Sequence, residues 1–142
     1  REMAVPRANL VPKDPGQRLQ AVSLLAWGSS GIHPYLTRLN SPIIVCDLPG
    51  TEDSVRKHAL EHLFENFQIA DDMLAGHEYL FDHFTAPDAH FFWCFRRATL
   101  FNLDLSQFKN CVAHFERMKT RSSVQKLLAF EKSVQTEFAK AA

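Results

Sequence analysis

The stretch FTAPDAHFFWCFRRATLF, residues 84–101, decides the fold. In Phe84-Thr85-Ala86-Pro87-Asp88, Thr85 can accept from the Asp88 amide while the Asp88 carboxylate reaches back to the Thr85 amide. That is a capping box with Asp in the place of Glu. Pro87 falls in the first turn, where its missing N–H costs least. The following AHFFWCFRRATLF is apolar nearly all round, which predicts a buried central helix. Its polar exceptions, His90, Cys94 and Arg97, share one narrow stripe ending at Phe101.

Working outward, every other long segment also has helical periodicity. A segment from Asp14 to Leu39 places Ala21, Leu25, Gly28, Ile32 and Leu36 on a core face. Leu19, Val22, Ala26, Ser30, His33 and Thr37 fall on a second, small and partly polar face. Pro34 should kink or end this helix near Ser30. Residues 40–50, holding Pro42, Pro49 and Gly50, form a connecting loop; SPIIVCDLP has no partner strand anywhere. Thr51 to Leu74 is a second helix, buried along Leu60, Leu63, Phe64, Phe67 and Leu74 and ended by Ala75-Gly76. Beyond the central helix, a fourth spans Ser106 to Thr120. A fifth begins near Ser122, with Gln125 completing another capping box. The expectation is one all-α domain, a bundle of about five helices over residues 14–142, behind an extended lead-in at 1–13 that contains Pro6 and Pro12.

Bulk properties narrow the function. At 142 residues, 46% hydrophobic and 23% charged, the chain can build a globular core. Twelve Phe against two Tyr favours dry packing surfaces. Lys+Arg and Asp+Glu balance at 16 each, so no basic excess exists to meet a phosphate backbone and nucleic acid is not the expected partner. No apolar run reaches the roughly 20 residues that span a bilayer. Cys46, Cys94 and Cys111 form no CxxC pair, which fits a reducing, cytoplasmic setting rather than a disulfide scaffold. The chain starts at Arg1 rather than Met, as a fragment would.

No complete active site is visible. His58-Ala59-Leu60-Glu61-His62 has the H-x-x-E-H form of a zinc peptidase. Yet Leu60, Leu63, Phe64 and Phe67 define the buried direction, and His58 and His62 point away from it. No metal is expected there. Cys94 and Cys111 lie among phenylalanines and read as small buried apolar residues. Asp71-Asp72 reads as a solvated pair, because adjacent helical residues do not converge. Two residues carry more: His33, at the kinked end of the first helix with Ser30 one turn before it, and Arg97, a cation on a mostly buried helix that wants an anion, either a structural carboxylate, the more ordinary partner, or a substrate group.

These residues resemble a known family, the C-terminal helical domain of cytosolic glutathione transferases, nearest the bacterial beta class. RLQAVSLLAWGSSGIHP (18–34) resembles the first helix of that domain, whose bacterial members often carry a histidine where His33 stands. LAGHEYLFDHFTAPDAHFFWCFRRA (74–98) resembles the approach to the central helix, with its buried capping box. FNLDLSQFKNCVAHFERMKTRSSVQKLL (101–128) resembles the closing helices, and REMAVPRANLVP (1–12) the interdomain linker.

The resemblance implies that a thioredoxin-like N-terminal domain, absent from this sequence, binds glutathione and supplies the sulfur-activating residue. The helical domain would line the pocket for a small electrophilic cosubstrate and share in a homodimer interface. His33 would hydrogen-bond near the thiol as the catalytic residue of this half, with Ser30 and Arg97 binding substrate. The chain departs from the family at Arg97, where beta-class members tend to have tryptophan, and at Ala26, where they often have a polar residue. It also lacks the glycine usual before the capping box, and has Arg121-Ser122 for the common Arg-Pro. A binding or scaffold module of the same fold, without transfer activity, stays open beside the enzyme.

Overall fold

In the computed structural model, which describes residues 9–141, all the regular structure is helical. Helix α1 (Pro15–Trp27), a π-helical segment (Gly28–Ile32) and α2 (His33–Asn40) run as one rod. After a 3₁₀ turn at Pro42–Ile44 come α3 (Glu52–Met73), α4 (Ala86–Thr99), α5 (Lys109–Lys119) and α6 (Ser122–Ala141). Counting the first rod once, these are five rods, as expected. Pro6 lies outside the described residues, while 9–13 run without helix up to the start of α1.

Local chemistry accounts for the boundaries. Asp14 caps α1 by accepting from the Gln17 amide at 2.8 Å, and Pro15 takes the first helical position. Pro34 does not end the rod. It cannot donate to the carbonyl of Ser30, and the helix widens just before it, so that the His33 amide donates to Gly28, five residues back. SPIIVCDLP is not a strand, and its Pro42–Ile44 forms the 3₁₀ turn. Gly76 closes the end of α3 at φ +75°, the left-handed region where side chains are strained. Helix α5 starts three residues later than expected, at Lys109. Asp104 instead folds back on Ser106, accepting its amide at 3.0 Å and its hydroxyl at 2.6 Å. Ser122 is the first residue of α6 rather than its cap.

The core forms around Phe67 of α3, which is fully buried and meets Phe91 and Phe95 of α4 and Phe108 with ring centroids 5.1–6.2 Å apart. Tilted and edge-on pairs of this kind add to the area burial itself. Helix α4 is central: it packs against α1, the π-segment, α2 and α5. Its first turn is anchored by Asp88, wholly out of solvent, whose carboxylate accepts from the Thr85 amide and hydroxyl, the Leu80 amide and His114 Nε2 at 2.8–3.0 Å. The expected capping box therefore forms and is extended to two further elements.

Asp71 corrects the expectation of a solvated carboxylate pair. It is buried and caps a different helix, accepting the Asn110 and Cys111 amides at 2.8 and 2.9 Å at the start of α5. The negative charge sits where the helix end presents unpaired amides. Asp72 is exposed, and its carboxylate accepts from the Gln68 side chain.

Helix α6 is the least embedded element. Val124 is its one buried residue among those described, and Phe130 and Phe138 stay 65% and 73% exposed. Among the described residues no helix is long and apolar enough to cross a membrane.

Candidate functional site

The π-segment sets where His33 emerges. One extra residue in that turn shifts the register between α1 and α2, and His33 follows it on the side facing α4. Its exposed imidazole meets Trp93 of α4 edge-on, ring centroids 4.9 Å apart and planes at 82°. Arg97 lies one turn after Trp93 on the same face of α4. A pocket of about 160 Å³ opens between the two helices, lined by His33, Leu36, Thr37, Asn40, Trp93 and Arg97. Two of the three residues singled out from sequence thus meet in one cavity.

Ser30 does not line that pocket. It is exposed, and its hydroxyl donates to the Ala26 carbonyl of its own helix at 2.8 Å. The close approach of the first rod to α4 comes instead through Gly28 on the core face, where a Cβ would fall 2.9 Å from His90 Nδ1. Burial pushes the His90 imidazole below its ordinary pKa, and the nearby His33 adds to the effect.

Trp93 is the site residue that sequence reasoning missed. It stood in a nearly all-apolar run and read as core, yet it is 39% exposed. Its spacing of four from Arg97 was the available signal. It also borders a larger apolar pocket, about 330 Å³, between α4 and α6, walled by Phe84, Phe92, Met118, Val124 and Leu127 with Arg96 at its edge.

The remaining candidates separate from this site. His58 and His62 meet edge-on at 4.4 Å. His62 is half-buried rather than solvated, stacked on Tyr35 and hydrogen-bonded through Nδ1 to Glu65 at 2.8 Å. Among the described residues no group of three or more His, Cys, Asp or Glu side chains converges as a metal site would need. Burial drives the Cys94 thiol up to about 12 and that of Cys111 still higher, so neither is a nucleophile.

Comparison with solved structures gives this architecture its class. A glutathione S-transferase from Xylella fastidiosa superposes with a TM-score of 0.76 at 26% identity, over 84% of this chain and 58% of its own. The ternary complex of BphK, a bacterial glutathione transferase, matches with a TM-score of 0.75 at 22% identity, over 87% and 59%. A glutathione transferase homologue from Sulfitobacter, with bound glutathione, matches at 0.79 and 17% identity, over 89% and 61%. No protein-family model matches the sequence, and no curated protein does. The chain has the glutathione transferase fold. It spans less than two thirds of each of these neighbours.

Proposed function

We propose that this chain is the helical half of a glutathione transferase and forms the wall of the cleft that receives the electrophilic cosubstrate. The observation that carries the proposal is the meeting of His33, Trp93 and Arg97 in one pocket between α2 and α4. The glutathione-binding half belongs to the full-length protein, outside this sequence. A neighbour of the same fold that binds glutathione supports the assignment.

In this account the thiolate sulfur of glutathione attacks an electrophilic carbon, the S–C bond forms, and a leaving group such as chloride departs with its electron pair. The thiol proton is lost to solvent before attack. The imidazole of His33 hydrogen-bonds at the rim where sulfur and cosubstrate meet, and Trp93 holds the edge of its ring in place. An oriented donor in a partly dry cleft stabilises developing charge better than water does. The cosubstrate side needs only apolar area and a few polar groups, which helices can supply and vary. Ser30, exposed one turn before His33 and outside that pocket, would contact only a cosubstrate that extends past it. A homodimer would use exposed apolar surface such as Leu19 and Val22 on α1, 73% and 56% exposed. The location that goes with this reading is the cytoplasm.

The test uses the full-length protein: retention on immobilised glutathione, and turnover of a chloro-nitroaromatic substrate with glutathione. Retention with turnover supports the enzyme. Retention without turnover points to a non-catalytic module of this fold, which the replacement of tryptophan by Arg97 would favour. Failure of both overturns the proposal.

A further inference from the structure

Arg96 and Arg97 are neighbours on α4 with different surroundings. Arg96 is ion-paired with Glu131 of α6. Arg97 is half-buried and, among the described residues, its side chain has no ion pair and no hydrogen bond; the Phe101 ring lies 6.0 Å from its guanidinium carbon. A guanidinium drawn partly out of water keeps a planar fork of donors that calls for acceptors. Among the described residues, the pocket it lines contains no carboxylate side chain. Of the other polar lining groups, the Thr37 hydroxyl is committed to the His33 carbonyl and the Asn40 amide to Ser41. At about 160 Å³ the cavity is smaller than the ~300 Å³ at which drug-sized sites begin, so it takes a group rather than a whole molecule.

We infer that this pocket seats a carboxylate, gripped by Arg97, while the aromatic body of the same ligand lies along Trp93. The two oxygens of a carboxylate match the guanidinium fork better than any single acceptor does. Calling the ligand a cosubstrate rests on the transferase proposal; the anion site itself does not. Chemically, the carboxylate could belong to the electrophile or to glutathione, which carries carboxylates of its own, and the assignment here is to the electrophile.

The experiment follows the Trp93 indole N–H resonance of this chain by NMR, identified by its loss in Trp93→Phe. The probes are 3-phenylpropanoate, its amide, and glutathione. The acid is expected to shift the resonance saturably and to bind about tenfold more tightly than the amide, the worth of one charged hydrogen-bonded contact. Arg97→Gln should erase that preference and Arg97→Lys retain part of it, with the Trp27 resonance unmoved throughout. Equal binding of acid and amide, or acid preference surviving in Arg97→Gln, would overturn the site. Glutathione competing for the same shift at comparable concentration would overturn its assignment to the electrophile. An acid-selective shift in a protein whose full-length form turns nothing over keeps the anion site and removes the transferase reading.

Discussion

Asp88 and His114, 26 residues apart, are hydrogen-bonded at 3.0 Å with both side chains out of solvent. This contact ties the first turn of α4 to α5, and through the Leu80 amide to the segment between α3 and α4. The same carboxylate satisfies the Thr85 cap, so one buried charge fixes three parts of the chain.

Removing that carboxylate should therefore be severe. Asp88→Ala leaves His114 and two amides without their acceptor and is expected to cost about 3–5 kcal/mol, seen as a lowered denaturant midpoint. His114→Ala should cost less, because Asp88 keeps its other donors. Equal losses would contradict this ranking.

Acid should act through the same residue and through His90. Burial works to raise the Asp88 pKa, but the hydrogen bonds from His114, Leu80 and Thr85 outweigh it and hold the carboxyl below its ordinary range. Its contribution is then complete above about pH 4 and lost as pH falls further. His90 is also depressed when folded, so below about pH 6.5 the unfolded chain binds more protons there and stability begins to fall. A melting series should show a first decline below pH 6.5 that His90→Phe abolishes, and a steeper one below pH 4. A flat profile between pH 7 and 5 would refute the assignment to His90.

The buried cap on α5 makes a sharp contrast between adjacent residues. Asp71→Ala is expected to destabilise by about 1–3 kcal/mol, since two amides of α5 and the Asn110 side chain lose their acceptor. Asp72→Ala should stay within about 0.5 kcal/mol. Similar values for the two would restore the view of a solvated pair.

Thiol labelling at neutral pH should distinguish the three cysteines. Cys46 is partly exposed, and hydrogen bonds from Thr51 and the Leu48 amide lower its pKa, so it should take up maleimide in the native protein. Cys94 and Cys111 are buried with raised pKa values and should react only after unfolding. Native labelling of all three, read by mass, would contradict the packing around α4 and α5.

What the sequence made legible was local. Thr85 and Asp88 marked the start of α4, Gly76 the end of α3, and Phe67 its buried stripe, because each signal acts within a turn or two of its own residue. What it hid depended on distance or on competition. Asp71 meets its partners 39 and 40 residues away, so only the folded chain reveals the cap. The late start of α5 reflects the Asp104–Ser106 turn winning over helical periodicity. At the site, His33 and Arg97 stood out as polar residues on apolar helices. Trp93 did not, since an exposed aromatic looks like core when its neighbours are all apolar.

The most direct measurement is kcat/KM for conjugation of a chloro-nitroaromatic by the full-length protein, parent against His33→Ala at matched thermal stability. A loss of roughly tenfold or more is expected, about 1.4 kcal/mol of transition-state stabilisation from one oriented hydrogen bond. An unchanged kcat/KM would show that the cleft does its chemistry without His33.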